Sequence, residues 1–472
     1  MIRFIQKETF FADFSPLIHL KIEALFNSMQ IIADLHVHTK YSRATSKDLD
    51  LFGLHQAAQV KGIDLIAAGD FTFPDYFKEL ESSLTESAEH PGLYQLKNNL
   101  ADSQDKNICP QKAKNVFFIL TQEISCIYTK NNIGRRIHIL IFAPNLATVK
   151  KIGKKLSTIG NLKSDGRPIL GLDAKKLAAI VLEIDQNCLI VPAHIWTPWF
   201  SLFGSKSGFN SLAECFDDYS QYIYAIETGL SSDPAMNWRL SALDNLSIIS
   251  CGDAHSGAKI AREAVVFELA KLSYKNIYQA IRNSAQINFS RPPKNYIKKT
   301  LEFYPEEGKY HWDGHRLCQF RSSPQESKKR QNICPICRRP LTVGVMARVE
   351  KLADRTAKEA GRASKNRPPF ISLIPLAEII AEICQQGVNT KKVKEAYNQI
   401  ITQAGSELAV LMDLPLENLQ KITESEIIVE SIKRMRAGQI ISDPGYDGVY
   451  GKIMLFTDKE KKNFNSKNLS LF

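Results

Sequence analysis

Two histidines one residue apart, His36 and His38, close an apolar run within residues 31–42 (IIADLHVHTKYS). The run reads as a short buried strand, and alternation puts both imidazoles on one face at its carboxyl end, where they could hold a metal ion. An HxH pair alone is weak, because a buried histidine is more often a satisfied core residue. Acids and histidines recur at the ends of later apolar runs, however. Asp70 closes 64–70, Glu123 follows the strand 116–119, His138 lies in 136–142, and His194 closes 188–194. Glu227 closes 222–227, and Asp253 and His255 end the stretch 246–255. A purely structural reading needs His36, His38, Glu123, His138, His194, Asp253 and His255 to be independent accidents. Mixed imidazole and carboxylate donors suit zinc or manganese better than calcium. Two such ions roughly 3.5–4 Å apart stabilise both the attacking and the leaving oxygen of a phosphodiester. Asp70 and Glu227 are candidates for orienting a histidine through its other ring nitrogen; an exposed strand-end acid is the competing reading.

A second donor set stands further on. His315, Cys318, Cys334 and Cys337 form H-x2-C-x15-C-x2-C, the two-knuckle spacing of a structural zinc site with one cysteine replaced by histidine. His311 competes for the fourth position. Such a site holds a small segment together, since zinc binding supplies roughly 10–16 kcal/mol of folding energy. Arg316, Arg321, Lys328, Lys329, Arg330, Arg338, Arg339 and Arg348 surround it, with Trp312 and Phe320 interleaved. Each is individually a solvated charge; as a cluster they form a phosphate-backbone track.

These residues must be positioned by the elements between them. From 31 to about 289, short apolar runs alternate with helical patterns, the rhythm of an α/β fold with a mainly parallel sheet of seven or eight strands. Parallel barrels place their chemistry at the carboxyl-end face, where the loops converge. Ser46 is a candidate cap for a first helix that exits at Gly62. After the SRPP at 290–293 the periodicity changes, so the chain divides into an N-terminal extension (1–28), a catalytic barrel (29–290), a basic zinc-binding module (291–345) and a mainly helical C-terminal domain (346–472). The glycine-rich turn PGYDGVYG at 444–451 either closes a hairpin or offers Tyr446 and Tyr450 to bases. Residues 1–28 lack the order of a secretory signal, and Met29 is an alternative start; an amphipathic capping helix is the rival reading.

Composition narrows the setting. The 472 residues carry a formal charge of +11, which fits a polyanionic partner but equally a merely basic soluble protein. No apolar stretch is long enough to span a bilayer. Nine cysteines, mostly inside apolar strands, point to reduced thiols in a cytoplasm and not to a disulfide framework.

The HxH, the strand-end aspartate, the isolated glutamate in QEIS, two isolated strand histidines and the closing DAH together resemble the polymerase-and-histidinol-phosphatase (PHP) metal-dependent phosphoesterases. That resemblance implies a distorted (β/α)7 barrel in which His36, His38, Glu123 and Asp253 hold one ion, Glu123 bridges to a second held by His138 and His194, and His255 belongs to a third. Ala44, Phe71 and Phe73 stand where many members have histidines, which counts against the third ion and leaves a two-ion site. The order of barrel, cysteine module, RPLTVGVMARVEKLADR (339–355), RPPF, helices and PGYDGVYG closely resembles the endonuclease Q family, as do the segments PAHIWTPWF (192–200) and GSKSGF (204–209). That family implies a DNA repair endonuclease incising 5′ of deaminated bases (uracil, hypoxanthine, xanthine) and of abasic sites, leaving a 3′-hydroxyl and a 5′-phosphate, with a sliding clamp as a family-level partner. Asp253, Glu123 and His194 are then the catalytic candidates. A lesion base pairs poorly and costs less to extrude, and Trp196, Trp199 and Phe200, directly after His194, could stack on it; ordinary packing at the barrel mouth is the competing reading. Lys206 and Arg262 are candidate phosphate contacts, with Arg338, Arg339, Tyr446 and Tyr450 further out. Two alternatives stay open: a phosphoesterase for small phosphomonoesters, and a degenerate, non-catalytic nucleic-acid-binding or helicase-associated protein.

Overall fold

The computed structural model describes residues 28–97, 115–423 and 425–467. The expected N-terminal extension, apart from Ser28, and much of the polar connection after residue 81 lie outside these residues. Among the described residues no helix is long and apolar enough to cross a membrane.

The architecture is a mixed α/β fold, a central sheet followed by a helical C-terminal region. The chain enters the sheet at β1 (Met29–Asp34), turns through helix α1 (Leu51–Lys61), and returns parallel to β1 as β2 (Leu65–Ala67). Asp50 caps α1 through Gly53 N–H; the expected cap, Ser46, instead bonds Asp48 within the preceding turn. Gly62, at φ 88°, ends the helix in the left-handed conformation that glycine adopts at least cost. After the short strands β3 (Leu84–Glu86) and β4 (Tyr94–Leu96) come two long ones, β5 (Phe117–Lys130) and β6 (Ile133–Ala143).

Here the expected parallel rhythm breaks. β5 and β6 form an antiparallel hairpin whose two-residue loop, Asn131–Asn132, has φ of 54° and 60°. Two left-handed residues are what a type I′ turn requires, and asparagine tolerates them. The ladder continues from β6 antiparallel to β8 (Leu189–Pro192), while β7 (Ile169–Leu170) pairs with β5. β9 (Ala225–Glu227) and β10 (Ser247–Ile249) form their own parallel pair. β11 (Ala264–Leu269) then lies antiparallel against β1, with Ile32 opposite Val266. The sheet is therefore mixed, not mainly parallel.

Alternate residues of eight strands meet in one interior. Ala33, Leu65, Ile119, Leu140, Val191, Ala225, Ile249 and Val265 share a single buried cluster although β8 and β9 are not paired in one sheet. Side-chain packing closes what the hydrogen-bond ladder leaves open.

Beyond residue 290 the same sheet continues, because β12 (Tyr296–Glu302) pairs with β11 and β15 (Phe370–Ser372) pairs with β12. Between them β13 (Asp313–His315) and β14 (Phe320–Ser322) make a small hairpin. Helices at Leu376–Cys384, Lys391–Ala404, Leu416–Thr423 and Glu426–Arg436 follow. They dock on the sheet region through a buried ion pair between Lys61 of α1 and Glu407, whose carboxylate also takes Leu376 N–H at 2.9 Å and the Tyr397 hydroxyl at 2.6 Å. β16 (Ile441–Asp443) and β17 (Lys452–Met454) form a hairpin around PGYDGVYG. That turn folds back on the segment before β13: Trp312 N–H donates to Gly445 O at 2.9 Å and Gly448 N–H to Lys309 O at 2.8 Å.

Candidate metal centre and nucleic-acid face

The buried glutamate Glu123 lies in the middle of β5, not at its end, and organises two groups of donors. Its Oε2 faces His38 Nε2 at 3.2 Å and His36 Nε2 at 3.7 Å; its Oε1 faces His138 Nδ1 at 2.7 Å and His194 Nε2 at 3.0 Å. Asp253 Oδ1 completes the first group, 3.1 Å from His38 Nε2 and 3.6 Å from His36 Nε2. In each group, one donor atom per residue lies within 4.8 Å of the others. Glu123 therefore presents one oxygen to each group.

The local chain explains the convergence. His138 sits on β6 opposite Ser125, two residues past Glu123, so both side chains share one face of the hairpin. The segment after β10 runs alongside the HxH strand, with His38 N–H donating to Ala254 O at 3.0 Å. Asp34, buried beneath, takes the amides of Gly252 and Ala261, both at 3.0 Å, and so pins the turn that carries Asp253. Burial pushes that carboxyl up to about 6, against these hydrogen bonds. Asp70, His194 and Asp253 have φ of 39°, 30° and 43°, left-handed values that non-glycine residues adopt at a cost of about 1–3 kcal/mol each.

Two carboxylates aim the rings. Glu227 accepts from His36 Nδ1 at 2.9 Å and from the His194 backbone N–H at 2.7 Å. Asp70 faces His38 Nδ1 at 3.1 Å and takes Thr39 N–H, the Thr39 hydroxyl and the Ser42 hydroxyl at 2.7–2.9 Å. Both histidines of the HxH thus turn Nε2 toward the cluster. Those Nε2 atoms and Asp253 Oδ1 are buried without any hydrogen-bond partner. Burial acts to raise the Glu123 carboxyl, but the charges of His138, Arg167 and His36 outweigh it and hold it well below the carboxylate range. Buried, unpartnered nitrogens and oxygens converging this way fit divalent ions, with the imidazole–carboxylate set favouring zinc or manganese.

The remaining sequence candidates divide. His255 lies beside the cluster, its ring 4.6 Å from that of His38, but belongs to neither group. Trp196 does not face the mouth: it is fully buried, stacks near Phe203 and donates its indole N–H to Asn237 at 2.8 Å, so it cannot meet a base. Phe200 is half-buried 4.8 Å from the His138 ring, and Trp199 is 37% exposed with Tyr310, just before β13, at 5.7 Å. Arg262 is held at Gly252 O (3.3 Å) and bears on the Asp253 turn, whereas Lys206 is exposed. Arg167, absent from the sequence candidates, places Nη1 3.1 Å from Glu123 Oε2; it stands in a loop with no strand-end signature.

The donor atoms of His315, Cys318, Cys334 and Cys337 likewise lie within 4.8 Å of one another. His311 is elsewhere, buried with Nδ1 unpartnered. A cleft of about 530 Å³ beside this group is lined by Tyr310, His315, Arg316, Arg339 and Asp447. Arg338, Arg339 and Tyr450 are exposed; Tyr446 is half-buried against Gly314, where any side chain would strike its ring.

Residues 375–439 match the model of the MJ0043 C-terminal domain. An uncharacterised protein of Methanocaldococcus jannaschii, MJ0043, is 32% identical over 284 residues; the match spans 58% of this chain and only about a third (33%) of that relative's length. The crystal structure of the lesion-specific endonuclease PfuEndoQ from Pyrococcus furiosus superposes with a TM-score of 0.76 at 30% identity, covering 94% of this chain and 100% of that one. Endonuclease Q in complex with a 27-mer duplex substrate, an abasic lesion at its active site, superposes at 0.75 with 29% identity, covering 94% and 99%. Identity at this level over nearly the whole length, together with the two donor groups joined through one glutamate, makes the chain a member of the endonuclease Q family.

Proposed function

We propose that this chain is a metal-dependent DNA repair endonuclease that hydrolyses the phosphodiester 5′ of deaminated bases (uracil, hypoxanthine, xanthine) and of abasic sites, leaving a 3′-hydroxyl and a 5′-phosphate. The observation that carries the reading is Glu123, whose two carboxylate oxygens face two separate sets of buried donors, the first of them without hydrogen-bond partners. His36, His38, Glu123 and Asp253 would hold one ion, and Glu123, His138 and His194 a second. Bound there, the two ions supply Lewis acidity at the phosphate and a hydroxide near neutral pH.

The protein's own residues do the rest. Asp70 and Glu227 fix which ring nitrogen each histidine presents. The mouth opens on one side only: the side chains of Asp253, Arg167 and His255 are 25–31% exposed, while those of His36, His38 and Glu123 are at 1%. A phosphodiester enters from that side. Trp199 and Tyr310, adjoining at the rim, form an apolar shelf on which an extruded base can stack, and damaged bases cost least to extrude. In this division the barrel (29–290) performs the chemistry. The His–Cys group binds a structural zinc, and its module (291–345), with the exposed Arg338 and Arg339 and the PGYDGVYG turn of the helical region (346–472), tracks the DNA backbone.

The test incubates the protein with manganese or magnesium and end-labelled duplexes containing one uracil, hypoxanthine or abasic site, beside an undamaged duplex and an Asp253→Asn control. Incision immediately 5′ of the lesion, lost in the control, supports the reading. Intact lesion duplexes with barrel metal bound, or phosphate release from small monoesters alone, refutes it.

A further inference from the structure

The side chain of Arg167 has no place in holding an ion, yet it reaches the shared carboxylate. Its Nη1 lies 3.1 Å from Glu123 Oε2, the side chain is 26% exposed, and Glu123 and Asp253 both attract its charge. It therefore stands half in the cluster and half in the open mouth. A guanidinium on a flexible loop would be unremarked there, but the loop that carries this one is held from behind. Its backbone N–H donates to Asp165 Oδ1 at 3.1 Å, and Asp165 also takes the Arg43 N–H at 3.3 Å and the Arg43 side chain at 3.4 Å. The preceding Gly166 donates to Tyr41 O at 2.9 Å and receives the Gln122 amide at 2.8 Å on its carbonyl. A Cβ on Gly166 would come within 2.4 Å of Ser42 Oγ and 2.5 Å of Asp70 Oδ2. The loop is thus seated directly on the residues that orient His38.

We propose that Arg167 is a phosphate-binding residue of the reaction, a fixed cation at the metal centre that grips a non-bridging oxygen of the scissile phosphate. The inference rests on the phosphodiesterase reading above and adds the group that meets the substrate's own charge. The geometry suits the role: guanidinium N–H groups fit phosphate in a fork, stay charged at all working pH values, and cost little desolvation in a half-open site. With ions held by those donors, Glu123 Oε2 would be taken up by them, leaving the Arg167 N–H groups free to meet a phosphate.

The test compares wild type with Arg167→Ala and Arg167→Lys in three measurements: metal content of the purified protein, affinity for inorganic phosphate by calorimetry, and steady-state incision of an abasic duplex. The expected result for Arg167→Ala is unchanged metal content, phosphate binding weakened at least tenfold, and kcat down on the order of 100-fold, as when one preorganised charge-stabilising donor is removed. Arg167→Lys should recover part of both losses. Unchanged phosphate affinity and kcat within a few-fold would overturn the proposal. Loss of barrel metal in Arg167→Ala would overturn it too, by making Arg167 a brace for Glu123. If wild type cleaves no lesion duplex while its phosphate affinity still depends on Arg167, the DNA repair reading fails and the phosphate assignment survives.

Discussion

Replacing Glu227 by glutamine tests whether the cluster depends on which nitrogen of His36 carries the proton. Glu227 is fully buried, and both its oxygens face N–H donors: His36 Nδ1 at 2.9 and 3.2 Å and the His194 amide at 2.7 Å. Glutamine keeps the shape but offers only one acceptor oxygen. Whichever way the amide turns, its NH2 meets a donor. If it meets His36, the ring escapes by moving its proton to Nε2, the atom that faces Glu123 and Asp253, and a protonated Nε2 cannot ligate. If it meets His194, a buried backbone N–H loses its partner and the strained turn at φ 30° loses its anchor. A hydrogen bond to a charged group contributes about 1.5–3 kcal/mol, so the expected cost is roughly 10–100-fold in metal affinity, in line with other carboxylates that orient metal-bound histidines. Metal titration by calorimetry, followed by incision assays at saturating metal, reads both the affinity loss and the remaining rate. Circular dichroism confirms an intact fold. A Glu227→Gln protein that binds metal and cleaves like wild type would refute the reasoning.

Three further outcomes are expected. Burial raises the Glu302 carboxyl to about 8, against the hydrogen bonds of Ser250 and Thr300, and the charge of Asp233 adds to the rise. The folded state therefore holds this proton above the unfolded carboxylate range, and stability falls as pH rises from about 4.5 to 8. Glu302→Gln, which mimics the protonated acid toward Ser250 and Thr300, should flatten that fall; equal Tm–pH curves for both proteins would contradict the assignment. Glu407→Ala strands the ammonium of Lys61 in a buried site, with an expected loss of about 3–5 kcal/mol in denaturant unfolding and a smaller loss for the double variant with Lys61→Met. Trp199→Ala should weaken binding of uracil duplexes by about 1–3 kcal/mol of stacking without changing metal content, and an unchanged Kd would remove Trp199 from the DNA face.

Much of the site was legible because metal donors leave a local trace. His36 and His38 end an apolar run and Asp253 ends another, and the recurrence of such ends, with the family resemblance, pointed to residues that converge, although His255 joins neither group. Glu123 was legible as a residue but not in its setting, since a run read as strand, turn and glutamate is one fourteen-residue strand. The β5–β6 hairpin was missed because Asn131–Asn132 is a weaker turn signal than Asn-Gly, though both asparagines take the left-handed conformation. For Trp196 the sequence left stacking on a base and ordinary packing both open, because adjacency to His194 says nothing about direction: the chain bends sharply there, and the indole goes inward to Asn237. Arg167 left no trace, as a loop arginine is ordinarily a solvated charge and only the folded loop brings it to Glu123. The continuation of the sheet through β12 and β15 was hidden for a related reason, since pairing across long separations has no local pattern.

The Asp34–Gly252 bond joins residues 218 positions apart and sits directly under the site, with β1 completed on one side only when β11 arrives. A chain emerging from a ribosome exposes the HxH strand first and its Asp253 partner most of a barrel later, at roughly 5–20 residues per second. Until then the two histidines have Asp70 and Glu123 behind them on the chain but lack Asp253, so their donor group is incomplete while it first meets metal. Correct metallation is thus a problem of timing as much as affinity, and a folding rate limited by closure of this long loop sets the window in which the wrong ion can enter.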